Sequence, residues 1–261
     1  MKSLSIAATG MLAQQLNVEV ISNNIANMNT TAYKRQRAEF QDLIYQNLRR
    51  VGSTSSDAGT IVPTGIQIGV GVKAGSVYRI ATQGNLTPTD NPYDLAIQGD
   101  GYFRIELPSG DDGYTRAGSF QLNESGEIVT ADGYPLSPSI TVPEDTRDVS
   151  INSQGQIEAF LDGQTDPTVL GQIEIVRFFN EAGLEAQGRS LFLETPASGA
   201  PIADTPGAEG YGTLLQGYLE TSNVDSVGEI TQLISAQRAY EMNAKVITST
   251  DEMLSVASNM R

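Results

Sequence analysis

The residues best able to do chemistry in this 261-residue chain are its carboxylates. Asp111 and Asp112 sit in the stretch PSGDDGYTR, with Asp90 and Asp94 upstream. Such oxygen ligands suit calcium, but a calcium loop alternates its ligands around a central Gly and closes with a Glu. This stretch lacks that spacing and reads as a solvated turn. Glu144, Asp145 and Asp148 offer a carboxylate pair of the kind that cleaves glycosidic bonds. Any acidic domain offers such pairs, so the pattern has little specificity. The run Gly65-Ile-Gln-Ile-Gly69-Val-Gly71-Val contains G-x-G. Ala74 stands where a dinucleotide fingerprint needs its third Gly, and no helical pattern follows. It reads as a strand with bulges. With no Cys and no His, the chain has no disulfides, thiolate nucleophiles, imidazole bases or Ser-His-Asp triads. No metal or cofactor is expected.

The charge is unevenly placed. The formal net charge is -15. Residues 1–50 carry a net +3, residues 51–215 a net -15 and residues 216–261 a net -3. An acidic middle repels nucleic acid and anionic lipid. Lys34, Arg35 and Arg37 form the one basic cluster before Arg49 and Arg50, and it reads as a solvated face. Nucleic acid is therefore not an expected partner. Polar residues interrupt every turn of residues 1–28, so no secretory signal is legible. No eighteen-residue apolar window predicts a membrane span. These rules alone assign the cytoplasm.

The elements that would position any site fall into two grammars. At the N-terminus Leu4, Ala7, Met11, Val18, Ile21, Ile25 and Met28 recur at steps of three and four, with Gln14 as the polar member. That heptad-like seam predicts a helix packed against helices. Near the C-terminus Leu233, Ala236, Tyr240, Ile247, Leu254 and Ala257 keep the same rhythm, with Asn243 and Thr250 between them. Ile230, Ile234, Val246 and Met253 widen the stripe. Thr221, Ser222 and Asn223 are N-cap candidates, and Asp225 and Glu229 suit the positive end of the helix dipole. The middle holds all eleven prolines and short alternating runs: Leu95–Ile97, Tyr102–Ile105, Ser119–Leu122, Ile173–Val176 and Leu191–Leu193. Turn signals such as Asp112-Gly113, Asp132-Gly133 and Asp162-Gly163 separate them, which predicts an all-β region. Asn-x-x-Gly recurs at Asn123, Asn152 and Asn180. A type I turn followed by a left-handed Gly explains the pattern. Arg50–Pro63 reads as an extended arm and Pro196–Gly212 as a return linker.

The fold class is therefore α+β and discontinuous. Long N- and C-terminal helices form a coiled-coil-like inner domain, with an inserted all-β outer domain and an extended linker arm. The expected boundaries are 1–45 plus 217–261 for the helical assembly domain, 46–84 plus 196–216 for the arm and linker, and 85–195 for the β domain. Neither helix hides its seam alone, so each must pair with the other or with helices of other chains.

Ser22–Thr31 crowds four Asn and two Thr at the end of an apolar-seamed helix. One reading is side-chain capping. The other is a surface that hydrogen-bonds to identical neighbours in register. The longer string SNNIANMNTTAYKR (Ser22–Arg35) closely resembles the N-terminal signature of bacterial flagellar rod and hook proteins. LAIQGDGYFRI (Leu95–Ile105) and YTRAGSF (Tyr114–Phe120) resemble that family's β-domain motifs. GYLETSNVD (Gly217–Asp225) and QLISAQRAYEMNAKVITSTDEML (Gln232–Leu254) resemble its C-terminal helix region. AEFQDLIYQNLRRVGSTSSDAGTIVPTGIQIGVGV (Ala38–Val72) resembles a stretch of the distal-rod branch that the hook protein lacks.

The resemblance implies a structural subunit of the distal rod and not an enzyme. Such subunits polymerise helically into a hollow, rigid drive shaft that transmits torque from motor to hook and passes export cargo. The implied partners are further copies of the chain, proximal rod proteins, the hook protein, the peptidoglycan-layer and outer-membrane ring proteins, and the flagellar type III export apparatus. Direct membrane insertion is not implied. The implied location is the basal body, from periplasm to outer membrane, reached without a cleaved signal, which replaces the cytoplasmic assignment. The residues expected to act are the two helical seams; Asn23, Asn24, Asn27, Thr31, Tyr33 and Lys34 of the signature; and Ala38, Tyr45, Arg49, Arg50 and Pro63 of the arm. The runner-up readings are a proximal rod or hook-type member of the family and a secreted carboxylate-dependent glycoside hydrolase.

Overall fold

A computed structural model describes residues 2–49, 64–162 and 166–259. The arm Arg50–Pro63, Gly163 of one expected turn, and the side chain of Ala257 lie outside the described residues. The protein is α+β, with a helix near each end and many short strands between them. It divides into two compact units. One comprises residues 1–26, 36–78 and 225–261, and the other 27–35 and 79–224.

In the first unit, helix α1 (Lys2–Ala26) and helix α2 (Ser226–Asn259) pack against each other. Gly10 has a packing reason for its low helix propensity. A Cβ there would lie 2.9 Å from Nδ2 of Asn243 on α2. Strand Gln36–Asp42 pairs with Val72–Arg79. Strand Tyr45–Arg49 pairs antiparallel with Ile66–Gly69, with a register shift between Asn47 and Arg49. The G-x-G run thus forms strands, as its alternation predicts.

Both helix ends differ from the seam-based expectation. α1 stops at Ala26, so Met28 lies beyond it and is exposed. The chain turns there because the Thr30 amide donates to the Asn27 carbonyl at 3.1 Å and the Thr30 hydroxyl donates to Asn27 Oδ1 at 3.1 Å. At α2 the cap is Asp225 rather than Thr221, Ser222 or Asn223. Its carboxylate accepts the Val227 and Gly228 amides, each at 3.2 Å.

The second unit is built on a six-stranded antiparallel sheet. Its order is Glu185–Gly188, Leu191–Leu193, Asp112–Thr115, Tyr102–Glu106, Ile175–Arg177 and Ile202–Asp204. The last of these edge strands falls inside the Pro- and Gly-rich segment read as a linker. A three-stranded sheet joins Thr146–Ile151, Gln156–Leu161 and Thr168–Gln172. Leu95–Gln98 pairs with Thr213–Gln216, Leu86–Pro88 with Tyr218–Glu220, and Phe120–Leu122 with Ile128–Thr130. The core gathers Phe103, Ile105, Phe120, Ile157, Ile173 and Ile175, all fully buried. Phe103 and Phe120 meet edge to face with centroids 5.2 Å apart.

Two of the three Asn-x-x-Gly segments form the expected turn. Asn123 Oδ1 accepts the amides of Ser125 and Glu127, and Asn152 Oδ1 accepts those of Gln154 and Gln156. Gly126 and Gly155 close these turns at φ +76° and +82°. The third does not. Residues Glu181–Gly183 form a 3-10 turn, and Asn180 Nδ2 donates to the Ala197 carbonyl instead of capping it. The physical difference is a nearby backbone segment that competes for the Asn side chain.

Candidate assembly surface

Within the first unit the seam is unequally covered. On α1, Ala7 and Ile21 are buried, while Leu4, Met11, Val18 and Ile25 are half-buried. On α2, Ala236 and Thr250 are buried, and Leu233, Asn243 and Ile247 half-buried. Tyr240 and Leu254, on the same face, are exposed. Between the helices, Gln15, Val18, Glu19, Gln237, Tyr240 and Glu241 line a groove of about 490 Å³. At about 100° per residue, Val227, Ile230 and Ile234 lie on the side of α2 opposite Ala236 and Asn243. Val227 is 72% exposed and Ile234 46%. Met242, Val246 and Met253 on α2 and Leu12 on the outer side of α1 are exposed as well. Contiguous apolar surface of this kind marks an interaction site. Val20 is 7% exposed and belongs to the packing within the unit.

The Asn cluster separates by burial. Asn24 is buried; its Nδ2 donates to the Gln36 carbonyl at 2.8 Å and to Glu229 Oε2 at 3.1 Å. Its Oδ1 accepts the Gln36 amide at 2.9 Å. One amide side chain thus joins the end of α1, the first strand and the first turn of α2. Asn27 is occupied by the turn already described, and Asn23 is exposed. For Asn24 and Asn27, internal bonding is what the structure contains.

In the arm, Ala38 is half-buried in its strand, and Tyr45 and Arg49 are exposed on the hairpin. The Tyr45 hydroxyl is raised above its ordinary range by its hydrogen bond to Asp42. Arg50 and Pro63 lie outside the described residues. Ile44, Leu48, Ile66 and Ile68 make this hairpin apolar as well as exposed.

The second unit holds the strongest electrostatic feature, which the spacing arguments missed. Lys34 and Arg116 are each 4% exposed and Glu220 is 1% exposed. Lys34 Nζ donates to Glu220 Oε1 at 2.6 Å and to the Thr82 carbonyl at 2.9 Å. Arg116 Nε donates to Glu220 Oε2 at 2.6 Å. The Gly84 amide donates to Oε1 at 2.8 Å, and Arg116 also donates to the carbonyls of Gly101 and Gly99. Burial alone would raise the Glu220 carboxyl, but Arg116 and then Lys34 outweigh it and hold the group below the usual carboxylate range. Burial, followed by the neighbouring Arg116 charge, pulls Lys34 below the usual lysine range. Lys34, read as part of a solvated basic face, is therefore a buried ion-triad member. Its signature neighbours lie nearby: the Thr31 carbonyl accepts the Ser190 hydroxyl at 3.4 Å, and Tyr33 is half-buried. A sequence signal existed. Arg116 and Glu220 each stand in short strings otherwise poor in charge, whereas the basic cluster around Lys34 hid its role.

The carboxylates first considered for chemistry are dispersed. Glu144, Asp145, Asp148, Asp111 and Asp112 are exposed, and Asp94 is buried with its Oδ1 accepting Asn91 Nδ2 at 2.9 Å. Among the described residues, no group of three or more acidic side chains is arranged to hold a metal ion.

Comparison with known proteins decides the family. The model for the flagella basal body rod protein matches residues 4–34. That for the flagellar hook protein FlgE/F/G D1 domain matches 96–159, and that for the flagellar basal body rod FlgEFG protein C-terminal region matches 215–260. The chain is 61% identical to the flagellar basal-body rod protein FlgG of Caulobacter vibrioides over the full length of both. It is 54% identical to that of Agrobacterium fabrum, covering 99% of this chain and 98% of the relative. With that of Bacillus subtilis it shares 39%, covering 100% and 99%. The chain belongs to the flagellar basal-body rod protein FlgG family. This is a family of structural flagellar proteins, not of enzymes. Its three matched segments meet in the ion triad: Lys34 ends the first, Arg116 lies in the second and Glu220 in the third. In this chain a buried salt-bridge network thus joins the three matched segments. Among the described residues, no helix is long and apolar enough to cross a membrane.

Proposed function

We propose that the chain is a subunit of the flagellar distal rod, polymerising helically into a hollow, rigid shaft that carries motor torque to the hook. The full-length similarity to proteins named as basal-body rod proteins carries this reading. The exposed apolar surface of α1 and α2 supplies its physical support. A filament needs a heterologous contact, where one patch meets a different patch on the next copy. Val227, Ile230 and Ile234 on α2 make one such patch, and the groove by Val18 and Tyr240 makes another.

In this reading α1 and α2 pair in coiled-coil fashion as an inner layer lining the export channel, with residues 1–45 and 217–261 as the assembly domain. Residues 85–195 form an inserted outer β domain, and 46–84 with 196–216 the arm. The acidic surface of the outer domain keeps adhesion low where the shaft turns inside the peptidoglycan-layer and outer-membrane rings. The proximal rod and hook proteins are the axial neighbours, and the type III apparatus exports the chain without a cleaved signal. Antibodies raised against the β domain test the reading on isolated basal bodies. Label along the rod segment next to the hook is expected. Label confined to the hook, or absent from basal bodies, would sink it.

A further inference from the structure

The chain crosses between its two units four times: after residues 26, 35, 78 and 224. Inside the second unit, three of these crossings are tied together within a few residues. Arg35, the last residue before one crossing, donates its amide to Asn223 Oδ1 at 2.7 Å, and its carbonyl accepts the Ile80 amide at 2.8 Å. Asn223, next to the last residue before another, donates through Nδ2 to the carbonyls of Ile80 and Thr82, each at 2.9 Å. Ile80 and Thr82 follow the third. The fourth crossing opens into the Asn27–Thr30 turn, which leads straight to Ala32. The Ala32 amide donates to the Glu220 carbonyl at 2.8 Å. Nine residues, 27–35, thus belong to the second unit although the chain on both sides belongs to the first.

The same cluster is anchored in the large sheet. Glu220 binds Lys34 from the signature segment and Arg116, which directly follows strand Asp112–Thr115. Arg116 Nη1 reaches the Gly101 carbonyl at 3.0 Å, just before strand Tyr102–Glu106. Covalent chain is stiff in tension but free to twist about its single bonds. A bundle of crossings therefore carries twist only where side chains lock the strands to one another.

We infer that Asn223 and the Lys34–Glu220–Arg116 triad form a mechanical joint inside the second unit, locking the segments by which the chain enters and leaves that unit to its six-stranded sheet. The inference rests on the reading of the chain as a torque-bearing subunit. The joint's role is separable from core folding because the Asn223 side chain bonds to the Arg35, Ile80 and Thr82 backbone and the Thr82 hydroxyl, and Asn223 is no member of the apolar core.

Hydrogen exchange on the full-length soluble chain tests the lock, with Asn223→Ala as the mild variant and Lys34→Met as the second. Residues 27–35, 79–84 and 217–224 should exchange faster together, by about tenfold or more, because they open as one unit. Strand Tyr102–Glu106 should keep its native protection. Acceleration of one segment alone, or of Tyr102–Glu106 by the same factor, would overturn the joint. Cells carrying Asn223→Ala should build rods of normal appearance and swim markedly worse in viscous medium. Full swimming there would also overturn it. Absence of rods in cells with the unaltered chain would instead count against the proposed function, leaving exchange to judge the lock.

Discussion

The two units bury apolar surface to very different extents. In the second, Phe103, Ile105, Phe120 and Ile157 are fully enclosed, and even a carboxylate, an ammonium and a guanidinium are buried and mutually satisfied. In the first, the helix pair leaves Leu12, Val227, Ile230, Ile234, Tyr240 and Met253 exposed. The second unit completes its own core. The first has a seam on one side and a second apolar surface on the other, and its own chain covers the seam more fully than the second surface. Helical stability in proteins comes mostly from such covering. The contrast is the physical ground for the proposed assembly: the unit that leaves more of its apolar surface uncovered is the one a neighbouring copy would complete.

That contrast can be broken by substitution. Phe103→Ala should cost about 3–5 kcal/mol of unfolding free energy, read from urea titration of the full chain. A cost under about 1 kcal/mol would mean the second core is less complete than its burial indicates. Glu220→Gln should cost about as much, roughly 3–5 kcal/mol, because Lys34 and Arg116 would stay buried with their counter-charge gone. Acid should act through the same group. Glu220 has a lower pKa folded than unfolded, so its contribution is fully present above the unfolded carboxylate value of about 4.3. It is lost as pH falls through the folded value. The melting midpoint of the native chain should therefore drop more between pH 6 and pH 3 than that of Glu220→Gln. Parallel drops would remove the triad from the acid response.

Smaller effects should sharpen the comparison. Asn152→Ala and Asn123→Ala each remove an Oδ1 that accepts two backbone amide hydrogen bonds at a turn, and each should cost about 1 kcal/mol. Asn180→Ala, which caps nothing in its own turn, should cost less. Equal costs would contradict the distinction drawn between these turns. On the exposed side of α2, Ile230→Ser should change monomer stability by no more than about 0.5 kcal/mol.

The helices were legible because a three-four apolar rhythm is a local pattern. The strands were legible where Gly and Asp turns bracket alternation, as at Tyr102–Ile105. The limits are equally physical. Met28 keeps the rhythm but lies past the helix end, because the Asn27–Thr30 turn outcompetes one more helical bond. Thr221, Ser222 and Asn223 looked like caps, yet Asn223 is engaged by Arg35, Ile80 and Thr82, and Asp225 caps α2. The Lys34–Glu220–Arg116 triad joins residues up to 186 positions apart, and no periodicity encodes such a pairing. The resemblance to the rod and hook family picked out the three strings that hold it, but not the contact between them.

In the proposed function, neighbouring copies complete the helical unit through the exposed side of α2. The most direct test pairs two readings on Ile234→Asp: urea unfolding of the soluble chain, and electron microscopy of polymer formed under conditions where the unaltered chain assembles. The expected outcome is an unfolding midpoint matching the unaltered chain and no hollow tubes. Tubes of normal form from Ile234→Asp would contradict it.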